Sequence, residues 1–273
     1  MSENQIVGRT ASEFKPGMCE AVVNVTTYSF GTDAESTRAD TVLRIPTAAI
    51  VLHCRGRILE YQDGGQIRRL PRLALLGPDS RARIWATRPN TEFMMVNLAP
   101  GAVRTLFDIA PASMSDQTES LRDHVLEELL LKCQDQGPAV LTRALCDFMK
   151  SRQGLQPGCF DDHRKRIHGV IRSLRDRVHG ERVNDYADNF GITSRTLQRM
   201  VRAEVGLAPK QVLSTSRLRE LISMTNGGWT RSAADLAQTG GYFDQSHLRH
   251  ELQRLGFGSV SNLIGGDHLV VQR

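Results

Sequence analysis

"SAADLAQTGGYFDQSHLRHELQRLG", Ser232 to Gly256, runs through a short segment, breaks at two glycines and resumes behind Asp244. Leu248, Leu252 and Leu255 fall at i, i+4 and i+7, one face of a helix, and Asp244 is a natural N-cap followed by Gln245, Ser246 and His247. The layout occurs twice. "VNDYADNFGITSRTLQRMVRAEVG", Val183 to Gly206, repeats it: Ala187 corresponds to Ala237, fifty positions on, and Leu197 to Leu248, fifty-one on, so the second turn carries one extra residue. In each copy a short helix (Val183 to Phe190; Ser232 to Thr239) presents a small Ala where a second helix must cross closely, and a Gly lets the chain turn. Each copy is a helix-turn-helix.

Between the copies, "PKQVLSTSRLRELISM", Pro209 to Met224, starts with Pro at a helix N-terminus and sets Val212, Leu213, Leu218, Leu221 and Ile222 on roughly one face. It predicts a linking helix about 24 Å long. Upstream, "DDHRKRIHGVIRSLRDRVHG" predicts a further helix, acidic at its start and stopped at Gly180. Two helix-turn-helix units joined by one long helix resemble the AraC/XylS family of transcription regulators over Asp162 to Leu263. The residues that carry the resemblance are "FGITSRTLQRMVRAEVGLAPKQVL" and "DLAQTGGYFDQSHLRHELQRLGFGS".

With Thr193 as N-cap, Arg195, Gln198 and Arg199 lie at i, i+3 and i+4 on one face of the first two turns, while Leu197, Met200 and Val201 face the core. Arg bonds bidentately to guanine and Gln to adenine, so this face suits base reading, and the family's base-contacting positions fall on the same three residues. In the second copy Gln245, Ser246 and His250 hold the corresponding outward face. Arg202, Lys210, Arg231 and Arg249 sit where phosphates are the more natural partners. The chain departs from the family where it has His250 in place of an Arg, and "GSVSNLIGG", with Val260, in place of a Ser-Pro step and a Tyr-Arg end. A His holds phosphate less firmly than an always-charged Arg. The second unit is therefore expected to grip the backbone and read bases weakly.

Charge divides the chain the same way. Residues 161–273 carry 17 Lys+Arg against 12 Asp+Glu, whereas residues 1–160 carry 18 of each. A basic module faces a polyanion and a neutral one faces something else.

From Cys19 to Ala99 the apolar runs "EAVVNVTTYSF", "AAIVLHC", "RILEY", "LALLG", "RARIWAT" and "EFMMVNL" are separated by "QDGG", "GPDS" and "RPN", which predicts short strands in a small barrel or sandwich. Helical patterns follow in "APGAVRTLFDIAP", "LRDHVLEELLLKC" and "PAVLTRALCDFMKSR". The order resembles the cupin-like sensor and dimer domain of many AraC-type regulators. The expected architecture is α+β: a β-rich sensor region at 1–120 built as a cupin-like β-barrel, a helical linker or dimerisation region at 121–160, and an all-α DNA-binding domain at 161–273. Tyr28, Phe30, Trp85, Phe93, Met94 and Met95, with His53 as a hydrogen-bonding group, could line an effector pocket, or could simply fill the barrel.

No catalytic group, metal or cofactor is expected. A cupin metal site needs two His and a carboxylate converging on the ion, and His53 is the only His before residue 124; beside Cys54 on an apolar strand it is more often a satisfied core residue. Cys19, Cys54, Cys133, Cys146 and Cys159 show no CxxC spacing, so neither a zinc knuckle nor a disulfide framework is indicated. "MSENQIVGRT" lacks the apolar core of a signal peptide and no long apolar segment follows, so a cytoplasmic protein without membrane contact is expected. The expected function is sequence-specific regulation of transcription, with promoter DNA, RNA polymerase, a small effector and a second copy of the chain as partners. A ligand-independent regulator controlled by a protein partner, or an enzyme built on the barrel, are the alternatives.

Overall fold

A computed structural model of the chain describes residues 9–10, 21–30, 38–136, 138–154, 162–176, 182–225, 232–260 and 269–271. The strands are β1 (Arg9–Thr10), β2 (Val22–Ser29), β3 (Arg38–Leu43), β4 (Ala49–Arg55), β5 (Leu59–Tyr61), β6 (Ile67–Arg69), β7 (Leu73–Leu76), β8 (Arg83–Thr87), β9 (Glu92–Leu98), β10 (Thr118–Ser120) and β11 (Leu269–Val271). The helices are α1 (Ala102–Phe107), α2 (His124–Gln136), α3 (Pro138–Gly154), α4 (Asp162–Asp176), α5 (Val183–Asn189), α6 (Ser194–Val205), α7 (Pro209–Thr225), α8 (Ala233–Thr239) and α9 (Gln245–Arg254).

The strands make two sheets, β1-β2-β9-β4-β7-β10 and β11-β3-β8-β5-β6. All pairings are antiparallel except that of β11 with β3. The expected β-rich region is present, but the barrel is not closed: each sheet keeps its own edge strands, and the two pack face to face as separate layers. The strands β4, β7 and β9 are apolar on both faces rather than alternating, so the first sheet is covered on both sides. Ala49, Val51, Ala74, Leu76, Phe93 and Met95 meet Val42 and Trp85 of the second sheet and Ile58 and Leu70, which flank its strands β5 and β6. Their neighbours Ile50, Leu52, Leu73, Leu75, Met94 and Val96 point the other way, onto Leu126, Leu130, Leu145 and Met149 of α2 and α3. The 121–160 helices therefore share a core with the first sheet. Met94, expected beside Met95 in a pocket, is on the opposite face of β9, as strand alternation requires.

The C-terminal helices form two cores joined by α7. Its first half supplies Val212 and Leu213 to a cluster with Ile167, Val170, Leu174, Tyr186, Ala187, Leu197 and Val201. Its second half supplies Leu218, Leu221 and Ile222 to a cluster with Leu236, Ala237, Tyr242, Leu248, Leu252 and Leu255. One helix thus belongs to both helix-turn-helix units, which fixes them relative to each other.

The β-rich domain touches both units. Leu43 and Ala82 join the second cluster, and the Ala82 N–H donates to the Leu255 carbonyl at 2.8 Å. On the first unit, the Gly101 N–H donates to the Glu204 carbonyl at 2.8 Å and the Ser115 hydroxyl to the Gly206 carbonyl at 2.9 Å. Beneath these contacts lies a buried charge network. Arg44, fully buried, donates to Asp79 at 2.6 Å and to the Gly77 carbonyl; Arg83 donates to Asp79 at 2.7 Å and to Glu60 at 2.6 Å; Trp85 Nε1 donates to Glu60 at 3.2 Å. Burial pushes the Asp79 and Glu60 carboxyls up, but the adjacent guanidiniums overcome it and hold both below their ordinary values. Among the described residues no helix is long and apolar enough to cross a membrane.

Candidate nucleic-acid interface

The first unit is assembled by local rules. Asp185 accepts from the Arg182 N–H at 2.5 Å and so caps α5. Gly191, at φ 62°, turns the chain, and Ile192 donates back to the Ala187 carbonyl at 2.9 Å. Thr193 then caps α6, its hydroxyl accepting from the Thr196 N–H at 3.1 Å, and the Ser194 hydroxyl donates to Asn184 at 2.8 Å, tying the start of α6 to α5. With Leu197 and Val201 completely buried, the helix has one orientation available. Arg195, Gln198, Arg199 and Arg202 consequently stand together on the exposed face, one turn after another. Lys210 is exposed at the start of α7.

The second unit follows the same plan. Ser232 and Asp235 cap α8 reciprocally, Ser232 Oγ accepting at 3.3 Å and Asp235 Oδ2 accepting at 3.2 Å. Gly241 turns the chain at φ 66°, and Asp244 caps α9 by accepting from the His247 N–H at 2.7 Å. Leu248, Leu252 and Leu255 are fully buried, which leaves Gln245, Ser246, Arg249 and His250 exposed. Tyr242 is buried beneath the unit, with the Arg217 guanidinium 5.3 Å from its ring centre, so α7 is clamped to this turn.

Arg254, on the last turn of α9, is used internally. It bonds Glu251 at 2.9 Å and the Ser214 hydroxyl at 2.5 Å. Its hydrogen bond to Glu251 raises its pKa; burial pushes Glu251 up, and Arg254 more than offsets that. Sequence spacing alone did not separate this structural Arg from the exposed Arg249; the signal was the Glu three residues before it. Arg231 lies outside the described residues.

In the β-rich domain Tyr28, Phe30, His53 and Phe93 are brought together, with Tyr28 and Phe93 stacked at 4.8 Å and His53 and Phe93 at 5.9 Å. Trp85 and Met95 belong to the same packed layer between the sheets. His53 is fully buried: its ring accepts from the Ile58 N–H at 3.3 Å, and Nδ1 faces the Arg72 carbonyl at 3.3 Å. Burial, with Arg57 nearby, lowers its pKa to about 4, so it is a neutral core residue near pH 7. A cavity of about 270 Å³ opens elsewhere, between the far face of the first sheet and α2, lined by Arg72, Leu73, Ser120, Leu121, Glu127, Leu130 and Leu131. Periodicity could not have found it, because it depends on how α2 crosses the sheet.

Residues 186–263 match the family model of a helix-turn-helix domain, a span that runs from within α5 past the end of α9. No curated protein sequence is significantly similar to the chain. Among solved structures, the chain is similar to ToxT from Vibrio cholerae O395 at 12% identity and TM-score 0.47, covering 89% of this chain and 97% of that one. Wild-type ToxT from strain SCE256, bound to an unsaturated fatty acid, gives 13% identity and TM-score 0.43 over 84% and 90%. The AraC-like transcriptional activator CuxR gives 10% identity and TM-score 0.27 over 74% of each chain.

Proposed function

We propose, from the match of residues 186–263 to a helix-turn-helix domain, that this chain is an AraC-type, sequence-specific, double-stranded-DNA-binding regulator of transcription without catalytic activity. The observation that carries the reading is the pair of capped helices, α6 and α9, held by one shared helix with Arg195, Gln198, Arg199 and Arg202 on one free face and Gln245, Ser246, Arg249 and His250 on the other. Arg and Gln at the leading turns supply the donors that guanine and adenine edges accept, and Arg202, Lys210 and Arg249 supply phosphate charge.

The β-rich domain acts as the regulatory half. Its loops contact both units, at Ala82–Leu255 and at Gly101–Glu204, so a change in its packing reaches both recognition helices. The layer of Tyr28, Phe30, His53, Trp85, Phe93 and Met95 is the effector region proposed here, with a protein partner as the alternative input.

Binding-site selection from random duplexes with the full chain tests the assignment. A defined motif, lost in a variant carrying Arg195→Ala with Arg199→Ala, is the expected result; recovery of no motif at moderate salt overturns it. Thermal shift against a metabolite panel then separates effector from partner control, since a ligand that binds only the folded state raises Tm.

A further inference from the structure

The one residue by which the second turn exceeds the first is Phe243. In the first unit Gly191 and Ile192 donate to the Asp188 and Ala187 carbonyls at 3.0 and 2.9 Å, and the next residue, Thr193, is the cap. In the second, Gly241 and Tyr242 donate to the Gln238 and Ala237 carbonyls at 3.0 and 2.8 Å, but the cap is Asp244. Tyr242 therefore matches Ile192, Asp244 matches Thr193, and Phe243 has no counterpart.

Its side chain is 93% exposed, well above the 56% of Ile67 and Leu131, the next most exposed large apolar side chains among the described residues. A single exposed apolar side chain is ordinary on a protein surface. Two features set this one apart. Its backbone is fixed: the Phe243 N–H donates to His247 Nδ1 at 3.2 Å, Asp244 caps the His247 N–H, and the Tyr242 ring meets the His247 ring edge-on at 5.4 Å. Moreover, it directly precedes the cap Asp244 at the leading end of α9, the helix that exposes Gln245, Ser246, Arg249 and His250. An additional exposed aromatic side chain thus projects from a fixed backbone position at the leading end of α9.

The geometry points to Phe243 as a specificity-determining residue that packs against the C5-methyl of a thymine in the major groove, at the half-site read by the second unit. This rests on the DNA-binding reading above. The major groove offers hydrogen-bonding edges at every base pair, and the thymine methyl is its one apolar group, so an aromatic ring there discriminates in favour of thymine. Lacking Arg at position 250, the second unit gains at Phe243 an apolar contact that does not depend on charge.

The test uses the full chain and the DNA selected by it. Each thymine of the second half-site is replaced in turn by deoxyuridine, which removes only the methyl, and wild type is compared with Phe243→Ser and Phe243→Leu. Wild type is expected to lose about three- to tenfold in affinity at one thymine, the amount that burying one or two methyl-sized groups supplies. Phe243→Ser should bind the thymine and deoxyuridine sites equally weakly, and Phe243→Leu should keep part of the preference. Because the side chain touches solvent, Tm should be unchanged in both variants. Wild type indifferent to deoxyuridine at every position overturns the proposal, and so does Phe243→Ser with unaltered DNA affinity, which would assign the ring to a protein contact. Loss of specific binding by Arg199→Ala in the same assay, with no methyl effect, would leave the DNA-binding reading intact and sink this inference alone.

Discussion

Ala82 donates its backbone N–H to the carbonyl of Leu255 at 2.8 Å, joining the loop after β7 to the residue that ends the second recognition helix. Three residues before Ala82, Asp79 is buried against Arg44 and Arg83. The loop that meets the DNA-binding domain is therefore anchored from below by one carboxylate serving two guanidiniums. Asp79→Ala leaves both cations without that partner in a site where Arg44 is fully buried, and is expected to cost about 3 to 5 kcal/mol, read from urea denaturation. A loss under about 1 kcal/mol would show that water reaches the network in solution.

Gly206 and Gly191 both adopt left-handed backbone, φ 91° and 62°, but only Gly206 is pressed against the other domain. A Cβ there would stand 2.5 Å from the Pro111 carbonyl oxygen and 3.0 Å from Pro78 Cγ, whereas at Gly191 nothing lies within 4 Å. Gly191→Ala should cost about 1 kcal/mol from conformational strain. Gly206→Ala adds overpacking and should cost about 2 to 4 kcal/mol. Equal losses in chemical denaturation would mean the two domains are not held this closely in solution.

His53 makes stability pH-dependent. Its pKa falls from 6.5 to about 4 on folding, chiefly through burial, so the unfolded chain takes up the proton first as pH drops. The contribution is complete above pH 6.5 and is lost progressively between 6.5 and about 4, amounting to about 2 kcal/mol by pH 5. Glu60 and Asp79, held below 4.5 and 3.8, lose most of theirs at lower pH, so a comparison of pH 7 with pH 5 reads chiefly His53. Urea midpoints at pH 7 and pH 5 should show this slope in wild type and its disappearance in His53→Gln; a slope that survives the substitution assigns it to other groups.

The helical half was legible because its signals are local. Thr193 and Asp244 cap α6 and α9 as their residue types predict, and the leucine spacing identifies the buried face of each helix. The sheets were legible as strands but not as layers. The runs Ala49–Leu52 of β4 and Phe93–Val96 of β9 are apolar on both faces, so the pattern cannot say which of Met94 and Met95 faces the helices; only the pairing of Leu52 with Met94 and of Val51 with Met95 does. Short polar strands such as β6, Ile67–Arg69, and β10, Thr118–Ser120, form because a neighbour offers hydrogen bonds, which no short window of sequence reveals. Likewise Arg44 and Asp79 are 35 residues apart, and their pairing depends on topology.

Arg199 and Arg202 sit three residues apart on the exposed face of α6, and the reading gives them different tasks. Arg199→Ala should cost about 1 to 3 kcal/mol on the selected site and much less on random DNA, because it removes a base contact. Arg202→Ala should weaken both alike and reduce the salt slope by roughly one, because it removes a phosphate contact. Equal losses on both DNAs for Arg199→Ala would remove it from base readout.

The two units present unequal faces, and the DNA they select should be unequal too. On α6 three groups that suit base edges, Arg195, Gln198 and Arg199, are exposed together; on α9 the corresponding face offers Gln245, Ser246 and His250, while Arg254 is held by Glu251 and Ser214. Since α7 contributes to both cores, the units cannot adjust their spacing freely, and two helices entering one face of the duplex must sit about one turn, roughly 34 Å, apart or bend the DNA to do so. Selection should therefore return one sharply specified half-site and, about 10 base pairs away, a second with little preference beyond the thymine assigned to Phe243. His250→Arg places a permanent charge on that weaker exposed face, so on this reading it should tighten binding to the phosphate backbone at low salt, with the gain fading as ionic strength rises. Two equally sharp half-sites from wild type, or no gain from His250→Arg at low salt, would show that α9 reads bases as α6 does.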